Sequence, residues 1–428
     1  MKVLMFGWEF PPHISGGLGT ACYGMTKGLA GLKEVEVIFV VPKIWGDEYQ
    51  SHVTLLGADQ VQVIRKQIQF SDSDSKMEYY ELRSELIPYL GSNEFYELKS
   101  NDISIEKRLV ETTEEGKIIF SGDYGRNLFQ EIQYYAIVAE TLAREIEFDV
   151  IHVHDWMTFP AGIAVRNSSG KPLVVHIHST EFDRSGSNVN PAVCTIEREG
   201  LQAADQVFAV SDLTRNKIID NYYIRPEKVI TVYNAVEPSE LDGKVRFQEE
   251  FRIKTVSFLG RITMQKGPEY FIEAARLVLQ KRRDIRFVMA GKGDLREAMI
   301  RLVAELNISD HFEFPGFLEA IQVTELFHAS NVFVMPSVSE PFGIVALEAM
   351  QAGLPVVISK QSGVSEILKN AIKVDYWDSQ SMAEAIITLL DDSGVGNKLS
   401  KAGKKEVSKL VWRNTALQIL DIYRSFSG

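Results

Sequence analysis

The sequence predicts an α/β protein of two domains, each built on a parallel β-sheet, and three observations carry that expectation. Its 428 residues exceed what one ordinary core organises and divide into two domains of roughly 200 residues each. Apolar, β-branched runs recur along the chain, each closing on a Gly, His or Asp cluster and followed by a helical pattern, as expected of parallel strands with crossover helices. Between the short apolar run 229–232 and Thr255, residues 237–244 are polar and broken by Pro238 and Gly243, so they read as part of a linker over 237–252.

In order, residues 3–7, 35–41, 150–153, 173–178 and 207–210 read as strands of the first domain, and 255–259, 286–290, 332–336 and 355–358 as strands of the second. Ala21, Met25, Leu29 and Leu32 share one helical stripe, and Phe271, Ala275, Val278 and Leu279 another. Residues 43–121 break the alternation and read as an excursion from the first sheet. Within it, Asp72 and Asp74 form an Asp-x-Asp pair of the kind that can hold a divalent metal. No strand leads into that pair and its surroundings are Ser-rich, so a solvated loop is the expected reading. Trp412, Ala416, Ile419, Leu420 and Tyr423 line one face of a final helix, too apolar a stripe to leave in water. The domains are therefore expected at 1–240 and 241–408, with a docking helix at 409–428. No repeat of 20 to 50 residues suggests a solenoid or propeller.

Composition excludes several classes. A formal charge of −12 argues against nucleic-acid binding, which draws its affinity from Lys and Arg. No run of about 18 apolar residues could span a bilayer, no basic amphipathic helix suggests a membrane surface, and the opening segment is too short for a secretory signal, so a cytoplasmic location is expected. Cys22 and Cys194, two thiols in a long chain, are read as small core residues rather than a disulfide scaffold or metal site.

Ligands in open α/β sheets bind beyond the carboxyl ends of strands, and the unusual polar residues gather at such ends in both halves. Ser15-Gly16-Gly17-Leu18-Gly19 follows the opening strand, where glycine permits close backbone approach and a helix N-terminus attracts phosphate, although a purely structural turn fits as well. A dinucleotide fingerprint fails: Cys22 stands where its third glycine belongs, and no acidic residue closes the next strand at Val40-Val41-Pro42. His152 and His154 share a strand face, yet no third ligand stands at a usual zinc spacing, so one or two imidazoles are expected to hydrogen-bond a sugar hydroxyl or carbonyl. His176-Ile177-His178-Ser179-Thr180-Glu181 closes the following strand. In the second half, Arg261 and Lys266 lie within Gly260–Gly267 at a strand end, suited to a diphosphate by bidentate hydrogen bonds and by point charge respectively. Pro341 suits a first helical turn, so Glu340 is expected at the cap and Glu348 two turns along.

The ordered set Gly16-Gly17, His154-Asp155-Trp156, His178-Ser179-Thr180-Glu181, Tyr233-Asn234-Ala235-Val236, Gly260-Arg261 with Lys266-Gly267, Gly291-Lys292-Gly293-Asp294 and Glu340-Pro341-Phe342-Gly343 with Glu348 resembles the retaining GT-B glycosyltransferases, the group that includes bacterial glycosyltransferases and glycogen and starch synthases. The resemblance implies two Rossmann-like domains whose parallel sheets face a central cleft, with the final helix crossing back to the first. It implies that the first domain binds the acceptor and the second the nucleotide sugar. Closure about the 237–252 linker is expected to accompany donor binding, since it brings the two clusters together and expels water. Residue by residue, it implies that Arg261 and Lys266 bind the donor diphosphate, Glu348 the ribose hydroxyls and Glu340 the transferred sugar. His154 would hydrogen-bond the sugar, Gly16 and Gly17 would approach it or its phosphate, and Gly291 and the amides of Phe342, Gly343 and Ile344 would complete the cradle. The opening Gly7-Trp8-Glu9-Phe10-Pro11-Pro12, the stretch Gly122-Asp123-Tyr124-Gly125-Arg126-Asn127 and the long excursion are similar to glycogen synthases, although Ile14 stands where those carry Lys. Glucose transfer from ADP-glucose or UDP-glucose to an α-glucan or another carbohydrate acceptor is expected, with no metal and no other cofactor required.

Overall fold

A computed structural model describes residues 1–13, 16–48, 52–62, 117–122, 124, 125, 127–237 and 253–426. Asp72, Asp74, Ile14, Ser15, Asp123, Arg126 and nearly all of the expected linker lie outside the described residues. The chain divides into two compact units: Met1–Ala209 with Arg215–Val232 and Arg413–Gly428, and Val210–Thr214 with Tyr233–Trp412.

The first unit carries seven strands, β1 (Lys2–Phe6), β2 (Glu36–Val41), β3 (Thr54–Gly57), β4 (Val150–His154), β5 (Leu173–Ile177), β6 (Gln206–Ala209) and β7 (Val229–Thr231). They form one parallel sheet in the order β3-β2-β1-β4-β5-β6-β7. Their unbroken Val, Ile and Phe runs suit strands covered on both faces. The chain reverses its direction of winding between β1 and β4, which opens a crevice beyond their carboxyl ends. The expected excursion begins later than the sequence suggests. Thr54–Gly57 joins the sheet, with Phe39 opposite Leu55 and Val41 opposite Gly57; a strand of four residues at a sheet edge leaves too short a pattern to read.

Tyr135, on the helix Leu128–Glu145, donates its buried hydroxyl toward the carbonyls of Gly7 at 3.1 Å and Val40 at 2.7 Å, tying down the ends of β1 and β2. The final helix, Trp412–Ser425, gives Ala416, Ile419, Leu420 and Tyr423 to the interior, and Gln418 donates to the carbonyl of Thr231 at 2.9 Å. Burying Ile419 and Leu420 contributes about 1.5–3 kcal/mol each, which anchors the chain terminus in the first unit.

The second unit carries β8 (Lys254–Leu259), β9 (Ile285–Ala290), β10 (Phe312–Gly316), β11 (Val332–Met335), β12 (Val356–Ser359) and β13 (Ile372–Val374), in the order β10-β9-β8-β11-β12-β13. Counted from β8 this is 3-2-1-4-5-6, the Rossmann order, with its switch point between β8 and β11. Alternation along β11 assigns its faces. Val332 and Val334 pack with Phe271, Val278 and Ile386, while Phe333 and Met335 pack with Phe327, Leu347 and Met350. Among the described residues no helix is long and apolar enough to cross a membrane.

Candidate functional site

The switch point of the second unit gathers most of the expected donor residues. After β8 the chain runs through Gly260, Arg261 and a 3-10 turn, Met264–Lys266, into the helix Pro268–Lys281. Gly267, at φ +62, turns the chain where a Cβ would come within 2.3 Å of the Pro336 carbonyl oxygen, so only glycine allows this loop to lie against the end of β11. The amide of Val338 donates to the carbonyl of Gln265 at 2.9 Å, which stitches the two loops together. Across them, Nζ of Lys266 lies 2.6 Å from Oε2 of Glu340, and the Ser337 hydroxyl donates to the same oxygen at 3.1 Å. Ser337 is held in turn through its carbonyl, which accepts from the Ser359 hydroxyl at 2.7 Å.

Gly291, at φ +138, closes β9 against β8 so tightly that a Cβ would meet the Gly260 carbonyl oxygen at 1.8 Å. Arg261 leaves the same turn half-buried, its carbonyl accepting from the Thr263 amide at 3.0 Å.

The expected cap at Glu340 is corrected by the structure. The helix is Ile344–Gln351 with Gly343 as its N-cap at φ +109, and Pro341 lies outside it. Glu340 instead bridges in parallel to Ser362, its amide donating to the Gln361 carbonyl at 3.0 Å and its carbonyl accepting from the Gly363 amide at 2.8 Å. The extended backbone wins because these bonds anchor Glu340 and Phe342 to the loop after β12. Phe342 is buried, and its carbonyl accepts from the Val364 amide at 2.7 Å. The amides of Ile344 and Val345 open the helix with no intrahelical carbonyl to donate to, whereas that of Ala346 donates to the Gly343 carbonyl at 3.1 Å, so the first two present partial positive charge. Glu348 follows one turn into that helix, and burial pushes its carboxyl up to about 7.

In the first unit, His152 and His154 on β4 and His176 on β5 stack with His178 just beyond, neighbouring ring centroids lying 4.4–5.4 Å apart. Tyr423 on the final helix sets one end of the array, its hydroxyl 2.5 Å from Nδ1 of His152. His152 Nε2 lies 3.3 Å from His176 Nδ1, and His154 Nδ1 lies 3.0 Å from His178 Nε2. Desolvation holds His152, His154 and His176 well below the ordinary imidazole range and pushes His178 down to about 3, so all four rings are neutral at pH 7. In each pair one nitrogen donates and one accepts, which leaves Nε2 of His154, Nε2 of His176 and Nδ1 of His178 buried without a partner.

Asp155 had no assigned role in the sequence. It holds φ +59, a strained conformation for a residue with a side chain. Its Oδ1 accepts from the amides of His178 at 2.7 Å and Ser179 at 3.4 Å, fixing the ends of β4 and β5 together. Burial pushes its carboxyl up to about 6. Arg184 completes the support, donating to the Ser179 carbonyl at 2.9 Å, Glu181 at 3.1 Å and Glu197 at 2.6 Å. Nothing local marked Asp155 or Arg184: at φ 59 and ψ 167 Asp155 lies in a region that glycine, not Asp, ordinarily occupies.

Gly16 caps the helix Gly17–Ala30 in extended backbone, and a Cβ at either Gly16 or Gly17 would meet nothing within 4 Å. Packing against the described residues therefore gives neither position a reason to be glycine. A cavity of about 250 Å³ also lies in the first unit, walled by Trp8, Phe10, Trp45 and Tyr124 with Glu9 and Glu48.

Two Rossmann-like sheets with polar groups at their switch points define a GT-B glycosyltransferase fold, and comparison with known proteins agrees. The family model of Glycosyl transferases group 1 matches residues 244–406, and that of Glycosyltransferase Family 4 matches residues 110–240. An uncharacterised glycosyltransferase of Methanocaldococcus jannaschii is 30% identical over 99% of this chain and 98% of its own length. The alpha-maltose-1-phosphate synthase of Mycolicibacterium smegmatis is 30% identical over 65% of this chain and 79% of its own. Among solved structures, sucrose-phosphate synthase from Thermosynechococcus elongatus superposes with a TM-score of 0.71 at 18% identity, covering 99% of this chain and 98% of its own. Anabaena HepE in complex with UDP and glucose gives 0.67 at 19% identity, covering 99% and 100%. The chain belongs to this family of GT-B glycosyltransferases.

Proposed function

We propose that this glycosyltransferase moves glucose, with retention of anomeric configuration, from ADP-glucose or UDP-glucose to a growing α-glucan. The observation that carries the reading is the Lys266–Glu340 pair at the switch point of the second sheet, which joins a cation suited to a diphosphate with a carboxylate suited to sugar hydroxyls. Breaking the sugar–phosphate bond develops negative charge on the departing diphosphate, which fixed donors stabilise. Lys266, Arg261 and the first amides of the helix at Ile344 are those donors, and Gly291 keeps the backbone clear beside them. Glu348 accepts from the ribose hydroxyls. In the first unit, His154 serves as a neutral hydrogen-bond partner for a sugar hydroxyl, and Gly16 and Gly17 leave room for a bound group. The acceptor hydroxyl attacks the anomeric carbon from the face the diphosphate leaves, and the departing phosphate takes its proton. No metal is required for these steps.

A sugar phosphate as acceptor is the second reading, favoured by the alpha-maltose-1-phosphate synthase relative. The test is release of nucleoside diphosphate from ADP-, UDP- and GDP-glucose, with glycogen, with glucose 1-phosphate and with neither, repeated in EDTA. Release stimulated by glycogen and unchanged by EDTA is expected. Stimulation by glucose 1-phosphate alone moves the assignment to the second reading, and no release from any donor overturns both.

A further inference from the structure

The array of histidines has a neighbour that the sequence reading kept apart from it. Cys22, on the helix Gly17–Ala30, lies with His154 and His178 so that one ligand atom from each falls within 4.8 Å of the others. A tetrahedral zinc centre needs about 3.3 Å between two nitrogens and about 3.6 Å between sulfur and nitrogen, from bond lengths of 2.3 Å to sulfur and 2.0–2.1 Å to nitrogen. His154 Nδ1 and His178 Nε2 are already 3.0 Å apart, so small side-chain rotations close the set.

The chemistry of the groups fits a thiophilic cation. Two imidazoles and a thiol are donor types that zinc takes in protein sites. The second nitrogen of each ring, His154 Nε2 and His178 Nδ1, is buried and unpartnered, and it takes the ring proton when the nitrogen at the 3.0 Å contact turns its lone pair to the metal. Burial first, and then the negative charge of Asp155 and Glu9, holds the Cys22 thiol protonated above its usual range, so the metal must displace that proton. Cys22 and His154 are fully buried while His178 is partly exposed, which leaves approach from the His178 side.

We propose that Cys22, His154 and His178 form a binding site for Zn²⁺, and that its occupation stops sugar transfer by tying up His154. On binding, the Cys22 thiol gives its proton to water and a zinc–sulfur bond forms. The two imidazoles donate lone pairs, and water fills the fourth position. Inhibition rests on the proposed role of His154 toward the sugar; binding does not.

Co²⁺ titration of the whole chain reads the site directly, because thiolate ligation gives a sulfur-to-cobalt charge-transfer band. The band is expected in the wild type and in Cys194→Ser, and absent in Cys22→Ser. In parallel, Zn²⁺ should inhibit nucleoside diphosphate release from ADP-glucose or UDP-glucose, and Cys22→Ser should need at least roughly tenfold more metal for the same inhibition, since losing a ligand costs no less than losing a ligand's supporting partner, while keeping its basal rate. If Cys22→Ser does not fold, Cys22→Ala makes the same test. No band in the wild type, or one that survives Cys22→Ser, overturns the site. A normal band with transfer unaffected by saturating Zn²⁺ overturns the inhibition and, with it, the role given to His154.

Discussion

Lys266 and Glu340, 74 positions apart in sequence, meet at 2.6 Å across the β8–β11 switch point, with the ammonium and carboxylate both largely shielded from water. The contact joins two loops that carry different chemistry, one basic and glycine-flanked, the other built on Ser337, Glu340 and Gly343. Each side chain fixes the other before any donor arrives, so the proposed site is preorganised rather than assembled on binding.

Removing either cation of the basic loop should therefore cost rate. Lys266→Ala and Arg261→Ala are each expected to lower turnover by roughly a hundredfold or more, as loss of one transition-state donor does elsewhere. Lys266→Ala also leaves Glu340 with Ser337 alone, so a thermal melt must accompany the kinetics. A folded Lys266→Ala protein with turnover within a few-fold of wild type would contradict the proposed role.

Gly291→Ala tests the backbone beneath that site. Alanine at φ +138 is strained by about 1–3 kcal/mol, and its methyl would overlap the Gly260 carbonyl oxygen, so β8 and β9 must part at their carboxyl ends. A lower urea midpoint and a higher donor KM are expected together. Gly16→Ala meets no atom of the described residues within 4 Å and should leave the midpoint unchanged.

The contrast between those glycines marks how far the sequence could be read. The central strands were legible because each is an unbroken apolar run closing on a polar cluster, and the order of those clusters named the family before any geometry was known. Thr54–Gly57, Phe312–Gly316 and Ile372–Val374 were missed because short edge strands bury too little to leave a pattern. Glu340 was misjudged because Pro341 has the chemistry of a helix start, while the loop after β12, distant in sequence, draws both residues into extended backbone. Cys22 beside His154 had no local signal at all: a helix after β1 and the end of β4 meet only once the sheet forms.

Buried titratable groups in the two units give opposing pH dependences. Four imidazoles are held below their unfolded value near 6.5, so the unfolded chain binds more protons below that pH and stability falls, by about 1.4 kcal/mol per pH unit for each ring. Asp155, raised to about 6, and Glu197 and Glu348, raised to about 7, act the other way: the native state takes up protons first, so they regain stability as pH falls through those values toward the unfolded range near 4. Between pH 7 and about 5 the two sets largely cancel. Below about 4.5 these three carboxyls are spent while the histidine loss continues, joined by the carboxylates that Arg, Lys and Ser partners hold below their usual range, such as Glu273, Asp284, Asp375 and Asp378. Urea midpoints are expected to change little from pH 7 to 5 and to fall steeply below 4.5; a steep fall already complete by pH 6 would show that the carboxyls do not offset the rings.

Tyr423→Phe separates the anchoring of the final helix from the ordering of the histidine array. The ring is buried and remains after the change, so the apolar packing of Ala416, Ile419 and Leu420 is kept. What disappears is the hydroxyl beside Nδ1 of His152, leaving a fully buried ring nitrogen unsatisfied at about 1–3 kcal/mol. Because His152 Nε2 contacts His176 Nδ1, freeing its other nitrogen also frees the choice of tautomer along that pair. The expected result is a lower urea midpoint with the helix still docked, together with changed imidazole nitrogen resonances for both His152 and His176. A midpoint equal to wild type with unshifted resonances would mean that the hydroxyl neither stabilises the helix nor sets the tautomers.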